Sequence, residues 1–514
     1  MNRLIEKFSK NIIGHLSGFD RLVMRGMVRN LAVTELFESF LAHSQILLKD
    51  FGPYVERKSK QLKRASFKEA EQKGRPVRYL RSAQISKEEV ARKIARDDGI
   101  SEGLICVLHT VELCQSYSIR RDRESKHLVL EAARRKCTHV YHYWIDPDFG
   151  FMGARIQTWF PFNIQVWVNG REWLAREMTK NGMGFDRRDN CFVWLEDPVA
   201  AQNLMDQQLK TNWCCVLDKF ANRLNPAHEE MLGPNAPGYY WTAYQTEWAT
   251  DMMFRSAAEL AAIYPALTRG SIALFGAKDV MRFLGQPPHW NLQGEVTSSF
   301  KQRVEGIRVK HYVKFNSVKA YDKHGSVLRI ETTINDPRPF KVLRTKTNDP
   351  DGPKSRLPIR RSVADLFLRA QASQAVNNRY ADALASIEVD DEISTLLSPV
   401  CQSVRHKKRR HRGLRPFSPD DLNLLKAVNR GDFTISGFRN RDLRAALYPN
   451  QTAADQKRLS ARVSRLFALL RAHGLIRRLP RSYRYVLTIK GRRIASAILT
   501  IQSSQVKALL KDAA

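Results

Sequence analysis

"CTHVYHYWIDPDFGFMGARIQTWFPFNIQVWVNGREWLA", residues 137–175, is the part of the sequence that decides the fold class. Its β-branched and aromatic runs are separated by a turn at Asp146–Gly150 and by a break at Pro161, which is the pattern of successive strands. The region contains, in order, strands at 137–146, 149–160 and 162–170, a helix at 171–182, a strand at 191–197 and a helix at 198–210. This order predicts an α+β fold.

The whole chain is predicted to be multidomain, because its 514 residues exceed the size at which a single hydrophobic core stops growing. The order of elements in 137–210 resembles that of the RNase H-like fold and of other folds that handle nucleic acid. The predicted regions are a mostly helical region at 1–125, an α+β body at 126–346, a helical region at 347–401, a basic flexible linker at 402–415 and a winged-helix domain at 416–514.

The charge of the chain predicts a polyanionic partner. The net charge is +33 and the pI is about 10.1, and nucleic acid is the commonest partner of such a protein. Residues 401–514 hold 26 Lys and Arg against six Asp, a net charge of +20 in less than a quarter of the chain. We find neither a signal-peptide pattern nor an apolar run of membrane-spanning length, so we expect a cytoplasmic protein without a membrane partner. The seven cysteines form no CxxC pair, which disfavours a zinc ribbon or a disulfide framework.

Residues 416–514 have the element order of a winged helix-turn-helix. SPDDLNLLKAVNRG, RNRDLRAALY and AADQKRLSARVSRLFALLRAHG predict three helices. LIRRLPRSYRYVLTI then predicts two short strands around Pro480–Ser482, and KGRRIASAILTIQ begins a closing helix. On the third helix the apolar residues lie within roughly 100° of arc, whereas its arginines gather on another side within roughly 60°. A recognition helix requires this separation of faces.

The stretch LRAHGLIRRLPRSYRYVLTIKGRRI, residues 470–494, resembles the wing and closing helix of MarR-like regulators. The resemblance implies binding to double-stranded DNA. The predicted DNA contacts are Arg458, Arg462 and Arg465 on the third helix, Arg477, Arg478, Arg481 and Arg484 in the wing, and Lys407, Lys408, Arg409 and Arg410 in the linker.

KAYDKHGSVLRIET, residues 319–332, is predicted to be a hairpin with Gly325 in the left-handed position of the loop Lys323-His324-Gly325. The register gives an apolar face of Val318, Ala320, Leu328 and Ile330, and a polar face of Lys319, Tyr321, Arg329 and Glu331. Lys319 opposite Arg329 places two cations side by side, which favours an anion between them. Glu331 and a nucleic-acid phosphate are both candidates for that anion, so a salt-bridged sheet face and a reaction centre both stay open.

The pattern K-x-Y-D-K…L-R-I-E in this hairpin resembles a stretch of the rolling-circle replication initiators of plasmids and filamentous phages. The resemblance implies that Tyr321 is a nucleophile on DNA and that Glu331 is a metal ligand, with Lys319 and Arg329 beside them. The His-hydrophobic-His motif of that family is absent, and HVYH at 139–142 spaces its histidines onto opposite faces of a strand.

Further carboxylates are candidate ligands for Mg²⁺, which prefers oxygen donors. Asp146 ends a predicted strand, the position at which RNase H-like nucleases hold their first metal-binding aspartate. Glu247 and Asp251 lie within 211–300, which we predict to be helical, and their i, i+4 spacing puts both on one helix face. The predicted metal ligands are therefore Asp146, Glu247, Asp251 and Glu331.

Most of residues 15–345 resembles a widespread, poorly characterised family of bacterial conserved proteins, for which the resemblance supplies no catalytic residues. The stretches that carry it are SGFDRLVMRG (17–26), WFPFNIQVWVNGREWLA (159–175), YYWTAYQTEWATD (239–251) and RVEGIRVKHYVKFNSVKAYDKHGSVLRIETTIND (303–336).

Together these features predict a bacterial DNA-binding protein of mobile-element or plasmid type, which nicks or otherwise processes DNA at a site chosen by its winged helix. Two alternatives stay open. One is a non-catalytic winged-helix transcriptional regulator, for which a dimer is plausible. The other is an RNA-binding protein, because Trp, Tyr and Arg alternate in HVYHYW and RIQTWFPF and aromatic rings stack on single-stranded bases.

Overall fold

The protein is described by a computed structural model that covers residues 3–233, 236–287, 296–346, 348–349, 351–387, 393–407, 409–430, 433, 437–450, 452, 455–480 and 482–503. The chain packs into two compact units built from separate segments. The first unit comprises Met1–Ile12, Phe254–Ile330 and Val376–Ala514, and the second comprises Ile13–Met253 and Glu331–Ala375. The sequence had instead suggested consecutive regions.

The described residues contain both helices and strands, in agreement with the predicted α+β class. The helices are α1 Arg3–Lys7, α2 Arg29–Ala32, α3 Thr34–His43, α4 Phe51–Gln72, α5 Lys87–Asp97, α6 Gly170–Lys180, α7 Pro198–Gln207, α8 Trp213–Leu224, α9 His228–Leu232, α10 Ala257–Leu274, α11 Ala277–Phe283, α12 Leu366–Ala385, α13 Ile393–Cys401, α14 Pro419–Val428, α15 Asn440–Leu447, α16 Gln456–Ala472 and α17 Ile489–Ser503. The strands are β1 Ile12–Met27, β2 Val77–Tyr79, β3 Gly103–Arg121, β4 Leu128–Asp146, β5 Gly150–Gln157, β6 Ile164–Asn169, β7 Phe185–Arg188, β8 Cys191–Leu195, β9 Tyr240–Phe254, β10 Val296–Arg303, β11 Gly306–Val313, β12 Asn316–Lys323, β13 Val327–Ile334, β14 Lys341–Arg344, β15 Ser355–Pro358, β16 Val404–His406, β17 Arg409–His411, β18 Ile476–Arg478 and β19 Tyr485–Leu487.

A large mixed sheet organises the second unit. Its strands run in the order β13-β9-β1-β6-β5-β4-β3-β2, to which β13 contributes Glu331–Ile334. β2 is parallel to β3, whereas β3, β4, β5, β6 and β1 are successive antiparallel neighbours. The strands predicted in 137–170 are therefore present as part of β4 and as β5 and β6, and the following helix, strand and helix are α6, β8 and α7.

Helix α7 packs directly on β1 because that strand offers glycine at the contact. A Cβ atom on Gly14 would lie 2.8 Å from Pro198 Cγ at the first turn of α7, so a larger residue would push the helix away. Farther along the sheet, α5 packs Ala91 and Ile94 against Ile105, Leu108 and Tyr143 of β3 and β4. Helices thus cover the sheet at positions on either side of β6.

Several strands lie where the sequence predicted helices. β1 and β3 fall in the region 1–125, which we expected to be mostly helical, and β9 and β10 fall in 211–300. β9 shows the reason most clearly, since every residue from Trp248 to Phe254 is buried. A strand buried on both faces lacks the apolar–polar alternation by which a sequence identifies a strand.

The first unit contains the four consecutive strands β10, β11, β12 and the first half of β13. β10 pairs antiparallel with β11, and β11 pairs antiparallel with β12. The hairpin predicted at 319–332 joins β12 to β13, and Gly325 has the predicted left-handed conformation with φ +82°. Lys323 belongs to β12, so the loop begins at His324, one residue later than predicted.

Among the described residues from 416 onwards, helices α14, α15 and α16 precede β18, which is antiparallel to β19, and α17 follows. They share a core that includes Leu425, Val463, Phe467, Leu475 and Ile494. Side-chain hydrogen bonds from Asn440 to Ser460 O (2.9 Å) and Ser464 Oγ (3.0 Å) tie α15 to α16.

The described residues of segment 402–415 include a pair of strands, whereas the sequence pattern favours a flexible linker. β16 and β17 form a small hairpin within it. Arg412 donates a bidentate pair of hydrogen bonds to the buried Asp421 at 2.6 and 2.7 Å, and His473 Nε2 lies 2.8 Å from Arg412 O. The Arg412 guanidinium holds the pKa of Asp421 below its usual value against the opposing effect of burial. This segment is therefore anchored to the helices that follow it.

No single helix among those that the structure describes is both long and apolar enough to cross a bilayer. Among the described helices, one bent pair, α10 and α11, which meet at 113°, reaches that length and composition when the two are taken together.

Asp322 at the tip of β12 gives a pH-dependent prediction for stability. Burial raises the pKa of Asp322 from 3.8 to about 6, against a hydrogen bond from the Gly325 N–H. Because the pKa in the folded state is above the unfolded value, stability falls as the pH rises through this interval. We expect Asp322→Asn, which keeps the acceptor for Gly325, to raise the free energy of unfolding at pH 7.5 by about 1–3 kcal/mol.

The gain should shrink as the pH falls below 6 and be small at pH 4, close to the unfolded pKa of 3.8, and it vanishes only below that value, where Asp322 is protonated in both states. Urea unfolding at pH 4, 6 and 7.5 measures it. Glu6→Gln removes an exposed carboxylate of the same unit and serves as the control, with no expected pH-dependent gain. A gain from Asp322→Asn that is constant across the three pH values would contradict the role of burial.

Candidate functional site

Three carboxylates converge on neighbouring strands of the second unit. Asp20 lies on β1, Glu247 on β9 and Glu331 on β13, and one oxygen from each lies within 4.8 Å of the others. Asp20 and Glu331 are 4% and 1% exposed, and Glu247 is partly exposed. We call Asp20, Glu247 and Glu331 the acidic triad.

The residues beside the triad fix the positions of the strands that carry it. The rings of Phe19 and Trp248, each next to a triad residue in the chain, meet edge to face at 4.9 Å. Trp248 Nε1 donates to Gln374 Oε1 at 2.7 Å, which orients the indole. Asn190 Nδ2 lies 2.8 Å from each carboxylate oxygen of Asp20 and donates to them. Asp20 is therefore held in place by a neutral donor.

Two members of the triad open into a cleft. Asp20 and Glu247 line a cavity of about 480 Å³, together with Asn169, Asp189 and Asn190. Its other walls carry the cations Arg21, Lys87 and Arg92 and the aromatic residues Tyr141, Tyr143, Phe151 and Trp167. Arg92 lies over the Phe151 ring at 3.9 Å, and Lys87 pairs with Glu112 at 3.0 Å. A ligand in this cleft would therefore meet both carboxylates and cations.

The acidic triad fits a hard divalent cation. Magnesium and calcium bind carboxylate oxygens at about 2.0–2.6 Å, so oxygens separated by up to roughly 5 Å can share one ion. The donor set contains only oxygen atoms, which suits Mg²⁺, Mn²⁺ or Ca²⁺ rather than zinc or copper. Such an ion would also offset the mutual repulsion of three carboxylates at this spacing.

Of the predicted metal ligands, the structure brings together Glu247 and Glu331 and adds Asp20, which sequence reasoning missed. Asp251 lies elsewhere. Its Oδ2 is 3.2 Å from Arg171 Nη2, and both side chains are fully buried. The helix expected around these residues is the strand β9, in which four residues span about 13 Å rather than one helical turn. Glu247 and Asp251 are therefore too far apart to share an ion.

Asp146 also lies outside the triad. It is the last residue of β4, and its Oδ1 accepts the N–H groups of Asp148 (3.0 Å) and Phe149 (3.2 Å). The carboxylate thus organises the turn that leads to Gly150, whose φ is +65°. This is a sufficient structural role for Asp146.

The remaining hairpin residues lie in the first unit and are less accessible than the sequence suggested. Tyr321 is 6% exposed and Arg329 is buried completely, whereas Lys319 is partly exposed. Lys319 and Arg303 lie over the Tyr321 ring at 5.4 and 4.9 Å. The predicted apolar face, Val318, Ala320, Leu328 and Ile330, is buried as well. Roles for Tyr321, Lys319 and Arg329 in a reaction stay predictions.

The predicted DNA-contacting arginines of α16 occupy exposed positions. Arg458, Arg462 and Arg465 are exposed on α16, opposite the buried Leu459, Val463, Phe467 and Leu470. Arg458 pairs with Asp455 at 2.7 Å, and Arg462 approaches Asp420 at 3.9 Å. Arg465 forms no ion pair with a residue that the structure describes.

In the predicted wing, Arg477 and Arg478 are exposed on β18, and Arg478 lies 5.0 Å from the Tyr483 ring. Arg484 is half-buried and donates to Gly437 O at 3.2 Å. In the hairpin before the domain, Lys407, Arg409 and Arg410 are exposed. Lys408 and Arg481 lie outside the described residues.

The triad draws on three of the four stretches on which the family resemblance is based, since Asp20 lies in 17–26, Glu247 in 239–251 and Glu331 in 303–336. The fourth stretch, 159–175, supplies Trp167 and Asn169 to the adjoining cleft. Asp20 could have been found from the sequence because it is the only carboxylate in residues 17–26, one of the four stretches of the resemblance. Searches against protein-family models, curated proteins and solved structures find no match to this chain.

Proposed function

We propose that the protein binds double-stranded DNA through residues 416–514, folded as a winged helix-turn-helix. The observation that carries the proposal is the division of α16 into a buried apolar face and an exposed arginine face. An apolar face holds a recognition helix on its domain, while guanidinium groups bind phosphates and guanine edges. β18 and β19 add Arg477 and Arg478 at the position of a wing.

The basic hairpin at 404–411 supports this proposal. It places Lys407, Arg409 and Arg410 on a segment that Arg412 anchors through Asp421. Cations on an anchored segment lose less conformational entropy on binding than cations on a flexible linker. We propose that this hairpin contacts phosphates beside the site that α16 occupies.

We expect the double variant Arg462→Gln, Arg465→Gln to bind a duplex at least about tenfold more weakly, since two contacts to phosphates or base edges are lost. The slope of log Kd against log salt concentration should fall by roughly 2. Fluorescence anisotropy with a labelled duplex over a salt series measures both quantities. Lys10→Gln combined with Lys341→Gln removes the same charge from exposed positions outside residues 404–514, and we expect less than about twofold change in affinity from it.

Equal losses in the two double variants would contradict a recognition role for α16. Stronger binding to a matched RNA hairpin or single strand than to the duplex would favour the RNA-binding alternative. Discrete footprints on DNA without cleavage under any divalent metal would favour the non-catalytic regulator.

The acidic triad favours a second candidate function, metal-dependent processing of DNA. Three carboxylate oxygens within 4.8 Å of one another form a donor set for Mg²⁺, and the adjoining cleft carries cations suited to a phosphodiester. When bound, such an ion supplies charge stabilisation for phosphoryl transfer. Asp20, Glu247 and Glu331 would hold it, and Arg21, Lys87 and Arg92 would orient the phosphate backbone. A mobile-element or plasmid-type nicking protein combines this activity with a DNA-binding domain.

A further inference from the structure

A second strongly basic surface lies on α4 of the second unit, away from residues 416–514 in sequence. Arg57, Lys60, Arg64 and Lys68 are exposed and follow one another at helical spacing. At 100° per residue they lie within roughly 80° of arc, and at 1.5 Å per residue they extend over about 16 Å. We call these four residues the α4 stripe.

The opposite face of α4 fixes the direction in which the stripe points. Phe51, Val55 and Leu62 are buried on that face. Two polar contacts add to the packing, from Ser59 Oγ to Thr158 Oγ1 at 3.1 Å and between Ser66 Oγ and His142 Nε2 at 2.8 Å. The stripe is therefore a preorganised row of charges.

The charge pattern of the stripe is unfavourable for a helix that only faces water. Lys60, Arg64 and Lys68 are successive i, i+4 neighbours of like charge, and each such pair costs about 0.2–0.5 kcal/mol. None of the four cations forms an ion pair with a carboxylate in the part of the chain that the structure describes. Farther along α4, Lys73 does pair with Glu69 at 2.7 Å. A polyanion along the stripe would offset the repulsion.

The stripe lines a groove rather than a flat surface. The groove has a volume of about 700 Å³, and Ala227 and Glu230 form its other wall. Glu56, on α4 itself, and Glu230 are its acidic members, so the lining holds four cations and two carboxylates. A groove of about 700 Å³ lined by these cations has room for one sugar–phosphate chain.

We propose that the α4 groove binds the backbone of single-stranded nucleic acid, with the α4 stripe contacting consecutive phosphates. The spacing supports this class of ligand, since the cations are about 4.5–6 Å apart along the helix, comparable to phosphates along a strand. The proposal rests on the proposed function for its class of partner. The α4 groove adds a second site to the proposed duplex-binding site. This second site lies in the other unit and binds a different form of nucleic acid.

The test compares two fourfold variants of the full-length chain. The stripe variant carries Arg57→Gln, Lys60→Gln, Arg64→Gln and Lys68→Gln. The control variant carries Lys49→Gln, Lys93→Gln, Arg96→Gln and Arg123→Gln, which removes the same charge from exposed positions of the same unit outside the groove. Anisotropy with a labelled twelve-nucleotide oligothymidylate and with a duplex of the same length is measured over a salt series.

For the single strand, we expect the stripe variant to bind at least about tenfold more weakly and its salt slope to fall by roughly 3, since each lost phosphate contact contributes about 0.7. The control variant should change the slope by less than about 1. Duplex affinity should change less than about twofold in both variants. Unaltered thermal unfolding of the stripe variant establishes that it folds.

Equal slopes for the stripe and control variants on the single strand would overturn the proposal, as would a wild-type chain that does not bind the single strand. An equal loss on duplex and single strand would overturn the assignment to a single strand. Failure of the proposed function has a separate signature, the absence of an effect of Arg462→Gln, Arg465→Gln on duplex binding. The two proposals can therefore fail independently.

Discussion

We expect Glu331→Gln to weaken the binding of Mn²⁺, used as a probe for Mg²⁺, by at least about 100-fold. The amide has nearly the shape of the carboxylate but lacks the negative charge that a hard cation requires. Since Glu331 supplies one of three oxygens within 4.8 Å, its loss should affect the ion more than a change in the surrounding residues. Titration calorimetry, or electron paramagnetic resonance of free Mn²⁺, measures the affinity and a stoichiometry of one ion per chain.

Asp189→Asn is the matched control for this experiment. Asp189 is an exposed carboxylate that lines the same cleft but does not belong to the triad. We expect it to change the affinity less than about threefold, the effect of one exposed charge in a screened environment. Wild-type affinity in Glu331→Gln, or an equal loss in both variants, would show that the triad is not the metal site.

The same variants separate metal binding from catalysis. Nicking of supercoiled plasmid with Mg²⁺ should disappear in Glu331→Gln and persist in Asp189→Asn. Tyr321→Phe tests the implied nucleophile, because loss of nicking with unchanged Mn²⁺ affinity would place Tyr321 in the reaction. Persistent nicking in Tyr321→Phe would show that Tyr321 is not the nucleophile. A wild-type chain that binds Mn²⁺ and nicks nothing would assign the triad to a non-catalytic cation.

Local sequence signals were sufficient where an element has one apolar and one polar face. The helices at the end of the chain illustrate this, since Leu459, Val463 and Phe467 recur at helical spacing and are buried on α16. Gly325 was placed correctly at the turn of its hairpin because only a few residue types adopt a left-handed conformation easily. Features of this kind depend on residues that are close in sequence.

The acidic triad depends instead on strand pairing between distant segments. Asp20, Glu247 and Glu331 meet because β1, β9 and β13 are neighbours in the sheet, and no local spacing encodes that order. β9 is buried over its second half, so its sequence resembles a buried helix. A helix would place Glu247 and Asp251 on one face and close together, whereas in a strand four residues span about 13 Å and the two side chains lie apart.

Burial of a charge also changed the interpretation of individual residues. The sequence identifies Asp251 and Glu247 only as carboxylates four positions apart, whereas the fold gives them different partners. Arg171, at the start of α6, lies beside Asp251 with no exposed surface. A carboxylate paired in this way contributes to stability, and its substitution has different consequences from substitution of a triad member.

We expect Asp251→Ala to lower the free energy of unfolding by about 3–5 kcal/mol, the cost of leaving one member of a buried ion pair alone. Arg171 Nη2 lies 3.2 Å from Asp251 Oδ2 and donates to Ala249 O at 3.0 Å, while its Nε and Nη1 atoms have no hydrogen-bond partner among the residues that the structure describes. Without Asp251, the guanidinium would keep a single neutral acceptor. Urea unfolding at pH 7 measures the loss.

The double variant Arg171→Met, Asp251→Leu provides the control, because it removes both charges and fills their volume. We expect its stability to lie within about 1 kcal/mol of the wild type or above it, as for other buried pairs replaced by apolar residues. Its Mn²⁺ affinity should equal that of the wild type, since Asp251 lies outside the triad. Loss of Mn²⁺ binding in this folded double variant would show that Asp251 belongs to the metal site. Retained Mn²⁺ binding, together with the large loss of unfolding free energy in Asp251→Ala, would show that Asp251 stabilises the sheet that holds the triad.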